Sequence, residues 1–334
     1  MKKITTNRNL GIEILRAILC LWVVLFHCSK KYTKNHILFI IISKYYHAPC
    51  FAFISFYFSS NSIKDINIEL LKTRFERLLI PYLVYPLLIW IINNLTFLIF
   101  SVSRFKRIIT FYELYNQILF GCNLIVSFWF LFCLLFFNIV FVLLSYLLKP
   151  YFIFIIKILG IVVYFFYSSR KYNYFYNYPK FIRLSLTDSL SIFPLCVFSI
   201  ALSSSNFITN LNFNIGNEII IVLFILILFN KNIFSDTNKY YGIENILASF
   251  LLFIFFYSLP LYKSSSKMKL LIKRITSYTN GIYCLHTIIT FYIRLILNKR
   301  NTLVSSFLIY FTSYIISFLS IKIFGKTKLK YLFI

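Results

Sequence analysis

LRAILCLWVVLFHC (residues 15–28) is an apolar stretch with an arginine near one end and a histidine near the other. A segment this apolar belongs in a bilayer core, where a charge costs about 2.5–3.5 kcal/mol on insertion scales. Arg16 and His27 therefore call for a polar surrounding, and Glu13, one turn earlier in GIEILRAIL, sharpens that demand. At 100° per residue, the step from Arg16 to His27 is three turns plus about 20°, with about 16 Å of rise. The two lie on one helix face. Glu13 precedes Arg16 by three residues, near the same stripe and within ion-pair reach. One polar stripe on an otherwise lipid-compatible helix predicts a polar cavity against that face. A blander reading pairs Glu13 with Arg16 at the headgroups and lets His27 snorkel to the opposite interface.

Working outward, the chain has 334 residues, 60% hydrophobic, 21% aromatic and 13% charged. Soluble domains are about one-quarter charged, so the composition points to a polytopic membrane protein. Many runs approach the roughly 20 apolar residues that cross a bilayer core. Spans are expected near 10–28, 37–58, 78–100, 124–148, 150–168, 189–204, 217–230, 244–262, 276–297 and 302–324. The expected fold is an all-α integral membrane protein: one domain over 1–334, with about ten transmembrane helices enclosing a polar intramembrane cavity. The spans at 189–204 and 217–230 are short for a full crossing. RFKRIITFYELYNQILF (104–120) reads as an interfacial amphipathic segment, with basic and aromatic residues interleaved.

The N-terminus starts basic, like a secretory signal. Glu13 and Arg16 within the apolar region, and the lack of an A-x-A site, predict a retained first span instead. Lysines and arginines divide almost evenly between the two sides, with a slight excess that favours cytoplasmic termini.

The formal charge of +26 would suggest nucleic acid in a soluble protein. Here the cations are spread through the connections, with no continuous basic helix, so they read as loop charge facing anionic headgroups and no nucleic-acid partner is expected. The excess of Ile, Lys, Asn, Phe and Tyr also fits an AT-rich gene. The seven cysteines form no CxxC pair and lie mostly in apolar runs, as small buried residues would. The four histidines lack HxxxH or HExxH spacing, so no metal site is expected.

Five stretches together resemble the acyltransferase-3 family of integral-membrane acyltransferases. The first is Arg16-x10-His27. APCFAFISFYF (48–58) is similar to the family's proline–aromatic–Ser–Gly–aromatic second span, except that Phe56 stands where glycine is usual. KTRFERLLIPYLVYPLL (72–88) resembles its R-x-x-R followed by leucines and proline, at Arg74, Arg77 and Pro81. SFWFLFCLL (127–135) resembles the Trp-Phe-Leu of the fourth span, and SYTNGIYCLH (277–286) the Ile-Tyr-x-x-His near the C-terminus. The likeness covers roughly 10–135 and 265–320, and the extra soluble hydrolase-like domain of some members is not expected.

The resemblance implies O-acylation of a hydroxyl on a cell-surface or lipid-linked glycan. The donor would be acyl-CoA, with acetyl-CoA expected, as a co-substrate and not a permanently bound cofactor. His27 would be the base, or an acylated intermediate, since imidazole exchanges protons near neutrality. Arg16 would stabilise developing negative charge or contact the carrier, and Glu13 would orient or neutralise Arg16. Arg74 and Arg77, at i and i+3 where the third span begins, would dock the polyanionic coenzyme, since guanidinium binds phosphate bidentately. The alternative is that both anchor a helix end at the headgroups. Ser55, Trp129, Tyr283 and His286 would contact substrate, or pack and hydrogen-bond between helices. His36 and His47 receive no role. The expected site is the inner membrane of a bacterium. A glycolipid flippase or other transporter, and then an envelope-glycan polymerase, are the rival readings.

Overall fold

The computed structural model describes residues 9–28, 47–100, 109–121, 128–169, 180–205, 223, 243–261, 265–296 and 303–333. Among them every regular element is helical. They are α1 (Leu10–Cys28), α2 (His47–Lys64), α3 (Ile68–Phe100), α4 (Phe111–Phe120), α5 (Trp129–Leu148), α6 (Phe152–Ser169), α7 (Lys180–Ser204), α8 (Ile243–Ser258), α9 (Ser266–Thr276), α10 (Thr279–Ile296) and α11 (Leu303–Phe324). Short 3-10 turns cover Lys149–Tyr151 and Lys328–Leu332.

Among the described residues, four stretches are long and apolar enough to cross a membrane: Leu10–His27, Ile68–Leu98, Trp129–Phe165 and Val304–Phe324. Ser189–Ser204 and Ile246–Ser258 are shorter apolar helices. The expected span 217–230, apart from residue 223, and the first part of 37–58 lie outside the described residues. Large apolar side chains on α3, α5, α6 and α11 face outward, among them Leu95, Ile139, Phe154 and Phe311. Exposed apolar belts of this kind suit lipid, not water. This is a membrane protein.

Helix starts follow their caps. Asn9 Oδ1 accepts the Ile12 amide at 3.2 Å, while its Nδ2 donates to the Tyr257 carbonyl at 2.9 Å. One asparagine thus caps α1 and ties it to the end of α8. Asn67 Oδ1 accepts the Leu70 amide at 3.1 Å, so α3 begins at Ile68, ahead of the apolar run that sets the expected start at 78. The expected amphipathic segment includes α4, which opens on a capping box of Thr110 and Glu113 and closes on Gly121 at φ 70°. It is held to α3: Tyr82 Oη donates to the Ile118 carbonyl at 2.6 Å, and Trp90 Nε1 donates to that of Ile109 at 2.9 Å.

The turn between α2 and α3 holds Ile66 at φ 48°. A β-branched residue there carries the left-handed penalty of about 1–2 kcal/mol. Ile66→Gly is therefore expected to raise the unfolding free energy in detergent by about 1 kcal/mol, read as a higher thermal midpoint; an unchanged or lower midpoint would contradict the strain.

Contacts between helices set their directions. Cys20 meets the Thr279 carbonyl at 3.2 Å and His27 meets His286, so α1 and α10 run parallel. Phe26 packs on His47 at the start of α2, while Asn9 reaches the end of α8, so α1 runs opposite to both. Phe53 packs on Phe253 and Phe198, and Ser60 shares a 2.5 Å hydrogen bond with Ser203, placing α2 at the centre between α7 and α8. Hydroxyls and glycines let these helices approach closely. At Gly281 of α10, an added Cβ would overlap Ser317 Oγ and the Phe333 backbone.

After α11 the chain returns into the bundle. Tyr85 Oη donates to the Leu332 carbonyl at 2.8 Å, Lys328 pairs with Glu76 at 2.5 Å, and Phe333 stacks on Phe324. Leu332 and Phe333 are buried.

Candidate functional site

Two tiers of polar side chains lie at different depths along α1. The first is at the level of Arg16. Its Nη1 donates to Glu13 Oε1 at 3.4 Å, as the three-residue spacing predicts. Arg74 enters from α3 and forks: Nε donates to Asn138 Oδ1 of α5 at 2.7 Å, and Nη2 to Ser55 Oγ of α2 at 2.8 Å. Asn138 is itself fixed, its Nδ2 donating to the Leu134 carbonyl at 2.5 Å. Arg74 feels the charges of both Arg16 and Arg77. Its hydrogen-bond partners are neutral, so the tier carries positive charge that its direct contacts leave uncompensated.

Arg77 shares the α3 face with Arg74, three residues on. Its guanidinium lies 5.8 Å from the Tyr331 ring centroid, within cation–π range, against the returning C-terminal segment.

Phe56, standing where the resemblance expects glycine, fills the first tier. Its ring is fully buried, edge-on to Phe141 at 5.3 Å, with the Arg74 guanidinium 5.6 Å from its centroid. In place of close backbone approach there is an aromatic floor under a cation. Phe56→Gly is expected to remove both contacts and lower stability by about 3–5 kcal/mol, as buried Phe truncations do. A denaturant midpoint in detergent that falls by less than a quarter of that would show the ring to be dispensable.

The second tier gathers three histidines. His27 of α1 and His286 of α10 have ring centroids 5.2 Å apart. His47, at the start of α2, packs on Phe26 at 5.3 Å. His286 Nδ1 lies 2.5 Å from the Tyr283 carbonyl oxygen. A carbonyl only accepts, so Nδ1 carries the hydrogen and Nε2 of the neutral ring carries the lone pair. His286 Nε2 and His47 Nδ1 are buried without a hydrogen-bond partner among the described residues. No cluster of three or more His, Cys, Asp or Glu suited to a metal ion occurs among those residues.

An aromatic layer adjoins the histidines. Tyr283 meets Phe51 at 6.1 Å, Phe130 at 5.8 Å and His286 at 5.8 Å. Trp129 stands at the head of α5, with its ring edge-on to Phe130 at 5.8 Å. The structure thus brings Glu13, Arg16, Ser55 and Arg74 into one tier, and His27, Tyr283 and His286 into the other. Cys20, Cys50, Cys133, Cys196 and Cys284 are buried thiols in no disulfide, as small core residues.

Two site residues went unassigned in the sequence, His47 and Asn138. Asn138 had a signal: it is the one strongly polar residue in the apolar run 129–144, and such residues inside spans usually face a protein interior. His47 had only its place at the head of an apolar helix. His36 lies outside the described residues.

A family model described as an acyltransferase domain matches residues 9–322. No curated relative and no solved structure matches the chain.

Proposed function

Because the chain belongs to the acyltransferase-3 family, whose domain covers residues 9–322, we propose that it moves an acetyl group from acetyl-CoA to a hydroxyl of a cell-surface or lipid-linked glycan. The observation that carries this reading is the pairing of a cationic tier with a histidine tier, about 16 Å apart along α1. The coenzyme's phosphates need cations, and Arg74, Arg77 and Arg16 supply them. Its pantetheine arm is an extended chain that bridges the tiers and delivers the thioester to the histidines.

His27 then acts as base on the acceptor hydroxyl. The hydroxyl oxygen attacks the thioester carbonyl, the C–O bond forms, and the C–S bond breaks. The proton taken from oxygen ends on sulfur, so acetyl ester and free coenzyme A leave with no net proton change. Ser55 acts in this reading by holding Arg74, while Trp129, Tyr283 and His286 line the acceptor side. The bundle is completed to about ten spans around a polar cavity. It sits in a bacterial inner membrane with cytoplasmic termini, where acetyl-CoA is available.

The test is direct. Membranes containing the protein receive acetyl-CoA labelled in the acetyl group, and label is followed into the glycan and glycolipid fractions. Incorporation above that of membranes lacking the protein is expected. Substrate movement across the membrane without any acetylated product would overturn the reading in favour of transport.

A further inference from the structure

The second histidine of the tier is built for more than contact. Three observations at His286 converge. Its Nδ1–H is pinned to the Tyr283 carbonyl at 2.5 Å, which fixes the tautomer and aims the lone pair through Nε2. That Nε2 is buried and has no hydrogen-bond partner among the described residues. The ring of His27 stands 5.2 Å away, centroid to centroid, at 36°. A buried acceptor nitrogen costs stability unless something donates to it, and of the tier's imidazoles His27 is the one whose ring packs directly against His286.

We propose that His286 is the proton-relay partner of His27, a positioning residue that acts through it; this rests on the acyl-transfer reading above. As the acceptor oxygen bonds to the thioester carbonyl, its proton passes to one ring nitrogen of His27. The proton on the other His27 nitrogen passes to Nε2 of His286. The Nδ1–H bond to the Tyr283 carbonyl becomes charge-assisted and strengthens at that moment. When the C–S bond breaks, the sulfur takes a proton from His27, and His286 returns its own to His27. Both imidazoles end neutral, and His286 holds the charge only while the tetrahedral adduct exists.

His286→Asn separates this role from a structural one. Asparagine keeps an N–H donor near the δ position, facing the Tyr283 carbonyl, and deletes the ε nitrogen. With labelled acetyl-CoA and the native membranes as acceptor, kcat is expected to fall about 100-fold or more, with KM for acetyl-CoA unchanged within about twofold. In a His27→Ala background the same substitution is expected to cost nothing further, because residues acting as a unit are non-additive. Wild-type kcat in His286→Asn, or the same fold loss in both backgrounds, would overturn the relay. Should the Asn variant accumulate poorly, the wild-type protein decides through its proton inventory in mixed light and heavy water. A curved inventory is expected from two protons in flight, and a linear one overturns the proposal. Wild-type membranes that transfer no label at all would instead defeat the acyl-transfer reading on which the relay stands.

Discussion

Membranes carrying His27→Ala at normal abundance are expected to lose at least about 100-fold, and up to about 10,000-fold, in acetyl transfer from labelled acetyl-CoA, the range that general-base groups supply. The loss should appear in kcat, with coenzyme binding preserved, because the arginine tier lies about 16 Å away along α1. The alanine also leaves His286 facing a void where its 5.2 Å neighbour stood. A small residual rate is expected from positioning alone. If His27 is itself acylated, rapid acid-free quenching of the wild type should leave label on the protein, and the alanine variant should leave none. Full transfer by His27→Ala would remove His27 from the chemistry in either version and leave the family assignment without its expected base.

The second large effect concerns the donor. Arg74→Ala is expected to raise KM for acetyl-CoA by about 10- to 100-fold, the equivalent of one charged hydrogen bond or a bidentate pair. It also strands two acceptors, Asn138 Oδ1 and Ser55 Oγ, which Arg74 now holds at 2.7 and 2.8 Å, and so lowers stability as well. Arg74→Lys keeps the charge but loses the fork, and should fall between the two. Acetyl-pantetheine, which lacks the nucleotide and its phosphates, provides the control. Wild type and both variants should use it equally. Equal use of acetyl-CoA by all three would return Arg74 to a purely structural role.

Local rules carried much of the fold. The run from Leu10 and the polar stripe at Glu13, Arg16 and His27 are readable from spacing and side-chain chemistry. Arg16 and Glu13 pair as three-residue spacing predicts, since both belong to one helix. Contacts between different helices were not readable. That Ser55 serves Arg74, that Tyr331 covers Arg77, and that Lys328 returns to Glu76 depend on how helices pack. Hydropathy also truncates helices that leave the bilayer. The turns Ile68–Arg77 carry five charged side chains and so drop out of an apolar window, yet they continue α3 without a break. His47 shows the same limit from the other side. Nothing in its neighbours marks it, and it enters the site because α2 runs opposite to α1 and brings its first residue beside Phe26.

The ten residues between Arg16 and His27 have an unequal fate under mutation. Those facing lipid, such as Ile18, can change to any apolar side chain with little consequence. Their number cannot change. One residue added or lost turns everything beyond it by 100° and moves it 1.5 Å, so His27 would leave His286 while Arg16 stayed in place. Natural variation in this interval should therefore consist of substitutions without insertions or deletions: what selection preserves there is the phase of the helix, and the letters are secondary.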